Sequence, residues 1–217
     1  MLADRIAPCA VAIANAMGYE SAVDWNWLKA SGPGGASSTD DVTARRLDEL
    51  PDARLRDLGR YWFARCTDGV VPRRSDIDPL DFKPLLPNVM LLDRIIEDGR
   101  ERFRFRLVGT TAVEVAGREL TGRFLDESLP ASYRDYVRTL NQLALRHRRP
   151  VYSSSLYHDQ GNFVNGLTYR LILPLRTGAE EPDMIFACQF WQRREDRGHW
   201  SGDWRSVAPE IALVSQS

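Results

Sequence analysis

Between Phe103 and Val108 the chain alternates strictly, with Phe103, Phe105 and Leu107 on one side and Arg104, Arg106 and Val108 on the other. A period of two predicts a half-buried strand whose three apolar side chains turn together toward the core. Gly109 ends that strand, Thr110 or Thr111 caps a short helix through TTAVEVA, and Gly117 closes it. A second short helix, ELTG, ends at Gly122. The three glycines are expected to let the chain turn repeatedly around a cavity.

Upstream the period changes. Leu47, Leu50, Leu55, Leu58, Trp62 and Cys66 recur every three to five residues, which predicts an amphipathic helix whose regular part begins at Pro51. Its apolar stripe has two readings: packing on its own domain, or pairing with a second copy in a homodimer through residues 51–66. After it, Asp78 and Pro79 open a short helix, LDFKPLLP. Asn88 to Ile96 reads as a buried strand, joined to the alternating strand by the turn from Glu97 to Arg100. Downstream, Ser132 to Arg146 is helical, with Tyr133, Tyr136, Leu140, Leu143 and Ala144 on one face. Arg146, His147, Arg148 and Arg149 favour its C-terminal dipole, and Pro150 stops it. Three strand segments follow, VYSSSLYH, LTYRLILPL and DMIFACQFWQ, separated by turns at Asp159–Asn162 and near Gly178.

Punctuation divides the chain. The segment SGPGGASSTDD, residues 31–41, is a linker by composition. Residues 1–45 are therefore read as an extension, 46–192 as the domain, and 193–217 as a tail in which APEIALV is a short terminal element. Charge and cysteines then exclude some functions. Twenty-nine Lys and Arg against 30 Asp and Glu give a net charge of −1, without the basic surplus of a nucleic-acid binder. Cys9, Cys66 and Cys188 are far apart and form no CxxC, so neither a disulfide framework nor a zinc site is expected. No apolar run reaches the roughly 20 residues of a spanning helix. The apolar stretch Ile6–Ala16 follows MLADR, with one acid against one base, and is interrupted by Pro8 and Asn15, unlike a signal peptide. A cytoplasmic protein with reduced thiols is expected.

A larger pattern joins these pieces. A helix carrying Tyr61 and Trp62 precedes Pro72, Arg74, Asp76, Ile77, Asp78 and Pro79, in the form P-x-R-x-D-(I/F)-D-P. Leu107, Gly109 and Thr110 match L-x-G-T, and Gly117, Arg118, Leu120, Thr121 and Gly122 match G-R-x-L-T-G. Over residues 47–192 the chain resembles a family of single-domain PAS-like proteins of alphaproteobacteria. The resemblance implies an α+β fold: a five-stranded antiparallel sheet, helices on one face, and an amphipathic helix before it. It also implies a sensory or interaction module without catalysis, binding a small ligand or a partner protein and signalling downstream through that partner. It identifies no cofactor.

Candidate chemistry is sparse. There is no G-x-S-x-G or P-loop lysine, and His147, His158 and His199 lack metal-ligand spacing. His158 beside Asp159 is the sole adjacent acid–base pair, the basis of an alternative reading as a small enzyme on a cone-shaped α+β fold. Asp76 and Asp78 are read as turn caps, with metal binding as the alternative, and Arg73 and Arg74 as their buried partners, with anion binding as the alternative. Trp62, Arg74, Asp76, Asp78, Gly109, Gly117 and Gly122 are thus motif residues with structural roles. Cys66 and Cys188 sit in apolar patterns and outside any flavin-adduct motif, as inert core thiols. His147 lies where some haem-binding PAS domains place their iron ligand, but a solvated His in a basic cluster is the expectation. The ligand-cavity candidates are Phe103, Phe105, Leu107, Tyr136, Leu140, Tyr169 and Arg170. Which of the two parities, Thr168/Arg170 or Tyr169/Leu171, faces inward is open, since both contain apolar residues; an inward Arg170 is a ready carboxylate clamp. Whether the cavity is open or filled by its own aromatics is open too.

Overall fold

A computed structural model of the chain describes residues 42–129, 131–158, 165–178, 180–193 and 210–216. It begins with β1 (Thr43–Arg46), a single 3₁₀ turn (Leu47–Glu49) and α1 (Ala53–Phe63). The Asp52 carboxylate caps α1, accepting from the backbone N–H of Arg54 at 2.8 Å and of Leu55 at 3.4 Å. Pro51 ends the preceding turn, so the stripe from Leu47 to Cys66 is broken into a 3₁₀ turn, an 11-residue helix and a loop rather than one helix. A 3₁₀ segment spans Pro79–Asn88, capped by Asp78, which accepts from Leu80 N–H at 2.9 Å. Pro84 and Pro87 inside it deny the donors and the space that α-helical bonding needs.

The strands β2 (Val89–Glu97) and β3 (Arg100–Val108) form the expected hairpin, turning through Asp98 and Gly99 at φ 51° and 73°. Three helices follow: α2 (Thr110–Ala116), α3 (Leu125–Ser128) and α4 (Ala131–His147). ELTG is not helical; the chain instead runs beside β3, where Gly122 N–H donates to Phe105 O and Phe105 N–H donates to Arg123 O. That pairing covers the free edge of β3. The remaining strands are β4 (Val151–His158), β5 (Asn165–Leu175), β6 (Met184–Arg193) and β7 (Glu210–Ser215).

The sheet order is β1-β7-β4-β5-β6-β2-β3. The expected five-stranded antiparallel sheet is not what forms: among the described residues the sheet is seven-stranded and mixed, with an antiparallel run from β4 to β3 inside it. β7 adds antiparallel to β4, and β1 lies parallel to β7, with Thr43 opposite Ala212. Helices lie on both faces, not one. On the outer face α1 and the 79–88 segment cover Tyr169, Leu171, Leu173, Met184, Phe186 and Cys188. On the inner face α2, α3 and α4 cover Met90, Leu92, Phe103, Phe105, Ile172 and Ile185. Leu55, Leu58 and Trp62 are buried in the outer core against the chain's own sheet.

Candidate functional site

β5 is the central strand of the sheet, buried on both faces, which is why its alternation gave no parity from sequence. The register decides it. Arg170 lies opposite Ser153 of β4 and Gln189 of β6, in the row next to Val151, Ile172 and Ala187 of the inner core. Thr168 lies opposite Ser155. Ser153, Thr168, Arg170 and Gln189 are buried, Arg170 with only 2 % of its surface exposed. One Arg170 Nη donates to Ser155 Oγ at 2.9 Å, and its guanidinium lies 5.4 Å from the centre of the Tyr136 ring. The Tyr136 hydroxyl is hydrogen-bonded to Ser153 Oγ, which ties α4 to β4. Gln189 Nε2 donates to Thr168 Oγ1 at 2.7 Å, and that hydroxyl donates to Phe190 O at 3.0 Å. Holding a guanidinium this deep is costly unless the protein supplies dipoles around it, and this row supplies them. Leu140 is fully buried beside it in the inner core.

Tyr169 is on the other face. Its hydroxyl accepts from Arg54 Nη2 at 3.0 Å, while Arg54 pairs with Asp52 at 2.7 Å and lies 3.6 Å from the Phe190 ring centre. Burial pushes the Asp52 carboxyl up, but hydrogen bonds and charge from Arg54, with Tyr169, outweigh it and hold the group below the usual carboxylate range. Burial raises the Tyr169 phenol well above its ordinary value. Tyr169 and Arg170 therefore serve different sites, and the Tyr169 cluster fastens the start of α1 to the sheet.

Leu107 also leaves the expected face. Leu91 pairs with Leu107 but Leu92 pairs with Phe105, so Arg106 is the extra residue of a β-bulge. Phe103 and Phe105 stay in the inner core, whereas Leu107 turns outward and is 43 % exposed. There it lines a half-open groove of about 410 Å³, with Ile77, Phe82, Leu86, Leu91 and Phe186 as apolar walls and Arg74 as the charged lining residue. Gly109 sits at the groove's end in an ordinary extended conformation. Its role is close approach, because a Cβ there would overlap the carbonyl oxygens of Leu86 and Pro87. Gly117 and Gly122 are the true turn glycines, at φ 66° and 84°.

The motif residues are structural in detail. Trp62 Nε1 donates to Pro174 O at 2.9 Å, pinning α1 to β5. Asp76 accepts from Arg73 N–H at 2.8 Å, and Asp78 caps the 3₁₀ segment. The side-chain pairing expected of Arg73 and Arg74 with these acids is not formed, because both carboxylates are taken by local backbone donors; Arg74 Nη1 donates instead to Ile77 O at 3.0 Å. Burial pushes the Cys66 thiol up to about 11 and the Cys188 thiol to about 12. His147 lies in the last turn of α4. Asp159, His199, Cys9, the linker and the turn at Asp159–Asn162 fall outside the described residues, as do the side chains of Tyr133 and His158. Among the described residues no three metal-ligating side chains converge, and no helix is long and apolar enough to cross a membrane. Sequence reasoning named Thr168 only as a parity partner of Arg170 and missed Ser153, Ser155 and Gln189. Their signal was polar residues inside strands that are otherwise apolar, the SSS of β4 and the Gln of ACQFW.

Three comparisons bear on this arrangement. The family described as a PAS domain matches residues 51–189. Among solved structures, two RsLOV variants match with 14 % and 13 % identity over 57 % and 56 % of this chain, at TM-scores of 0.37 and 0.36. They are covered over 74 % and 71 % of their own lengths. A fungal LOV-domain photoreceptor matches at 15 % identity and a TM-score of 0.34, over 54 % of this chain and 93 % of its own. No curated protein matches. The family match runs from the cap of α1 through the hairpin, the inner helices and the polar row to Gln189, and on that extent the chain belongs to the PAS domain family.

Proposed function

We propose that this protein is a non-catalytic sensory module that takes a small polar ligand between α4 and the inner face of its sheet. The observation that carries the reading is the buried row Ser153–Arg170–Gln189, with buried Thr168 and half-buried Ser155 beside it, in a sheet face that is otherwise aliphatic and aromatic. No turn, helix end or strand edge requires these side chains, and a guanidinium among hydroxyls and an amide offers donors to a carboxylate or another acceptor group. Occupation would move α4, which is tied to the row through Tyr136 and Ser153. The moved helix would then be read by a partner protein or a second copy in the cytoplasm, as in the narrower likeness to single-domain alphaproteobacterial sensors.

The test is a thermal-shift screen of small mono- and dicarboxylates on the full chain and on Arg170→Met, with native mass spectrometry of the purified protein. A carboxylate that raises Tm in the native chain and not in the variant supports the reading. No shift with any member, and no bound small molecule by mass, would overturn it.

A further inference from the structure

The outer-face groove is a second site, separate from the polar row by the full thickness of the sheet. Two local features form it. The bulge at Arg106 rotates Leu107 out of the inner core and makes it one wall. The 79–88 segment supplies the opposite wall through Phe82 and Leu86. Gly109, packed against the carbonyls of Leu86 and Pro87, lets the two walls approach closely. The groove's volume of about 410 Å³ lies within the usual range of small-molecule pockets, roughly 300–1,000 Å³.

Arg74 is the charged residue of the groove's lining. It is anchored through one nitrogen on Ile77 O, and makes no ion pair among the described residues. Its fixed fork leaves further N–H donors for an anion. On the same face Arg104 and Arg106 share the single carboxylate of Asp93, at 3.2 and 3.4 Å. The nearby acids Asp76 and Asp78 are engaged by backbone N–H groups. We infer that this groove binds a small apolar anion, its hydrocarbon body against Phe82, Leu91 and Leu107 and its carboxylate at Arg74.

The experiment uses the full chain with ¹³C-labelled Ile, Leu and Val methyls, titrated with decanoate and with decanol below micelle formation. Saturable shifts are expected at Ile77, Leu91 and Leu107, with decanoate binding about tenfold more tightly than decanol, the worth of one charge-assisted contact. Arg74→Met is expected to erase the preference for decanoate while leaving decanol binding in place. Should that variant fail to fold, Leu107→Glu, at an exposed position, tests the same site by abolishing decanoate shifts at Ile77 and Leu91. Shifts that do not saturate, or equal affinity for the two probes, overturn the inference. So do shifts at Leu140 and Ile172, which would move the ligand to the inner face. The inner-face reading is tested separately at Arg170, so either site can fail alone.

Discussion

The two faces of the sheet bury charge in opposite ways. On the outer face the charged groups sit where the fold uses them: Asp52 caps α1, Arg54 clamps that cap, and Tyr169 ties both to β5. On the inner face the buried charge is Arg170, in the middle of the central strand, with no helix end or turn in its row. Both faces otherwise hold aliphatic and aromatic side chains of similar burial. The outer cluster serves a helix start, whereas the inner row has no helix end or turn to serve. That asymmetry, rather than any single residue, separates the scaffold from the proposed site.

The largest way to break the comparison is to attack the scaffold. Trp62 is buried, donates to Pro174 O and packs edge-on against Phe63. Trp62→Ala is expected to cost about 3–5 kcal/mol, read by urea unfolding, with the hydrogen-bond partner left unsatisfied as well as the cavity. If the loss were below about 1 kcal/mol, within the range of surface substitutions and small repacking, the outer face would not be the scaffold argued above.

Gly109→Ala comes next, at about 1–3 kcal/mol, the range for overpacking against groups that cannot rotate away. Its Cβ meets backbone carbonyls of the 79–88 segment, so relief requires that segment to shift. The same variant is expected to widen the groove, which methyl shifts at Leu107 and Ile77 would show, while those of Ile172 on the inner face stay put.

Asp52→Ala is smaller in neutral solution, about 1–2 kcal/mol for a lost helix cap. Its pH dependence is the sharper readout. The native Asp52 pKa lies below the value of roughly 3.9 for an unfolded Asp, so its contribution is complete above that value. It is lost as pH falls through that range toward the lower native pKa. The stability gap between native chain and variant should therefore be constant from neutral pH down to the ordinary carboxylate range and close below it. A gap that widened on acidification would reverse the assigned direction of the shift.

What could be read from the chain, and what could not, follows the same division. α1 was readable because Leu55, Leu58 and Trp62 bury one face and solvate the other, and a half-buried element writes its period into the sequence. The hairpin turn was readable because Asp98-Gly99 is a local signal. Arg170 and Tyr169 were not separable because β5 is buried on both faces, which removes the alternation that would mark them. The outward turn of Leu107 was hidden for a different reason: a bulge is a property of the pairing between two strands, and FRFRLV alone looks regular. The joining of β1 to β7 is a parallel contact across most of the chain, carried by TARR and EIALVS, neither of which names its partner. The groove was missed because it depends on the bulge and on the packing of the 79–88 segment against the end of β3.

The smallest expected effect is the one most specific to the inner face. Tyr136→Phe removes a single hydroxyl whose partner, Ser153 Oγ, is buried. The cost should be about 0.5–1.5 kcal/mol, the net worth of a neutral hydrogen bond. Tyr169→Phe, the same chemical deletion on the outer face, removes an acceptor from a charged donor and should cost more, about 1.5–3 kcal/mol. Stability alone would rank the two residues in that order. Signalling should rank them in reverse, because Tyr136 links α4 to the polar row whereas Tyr169 fastens only α1. A carboxylate that stabilises the native chain should therefore keep its thermal shift in Tyr169→Phe and lose much of it in Tyr136→Phe. Equal ligand responses in the two variants would mean that the row and α4 are not coupled, and the inner face would then be a costly core and nothing more.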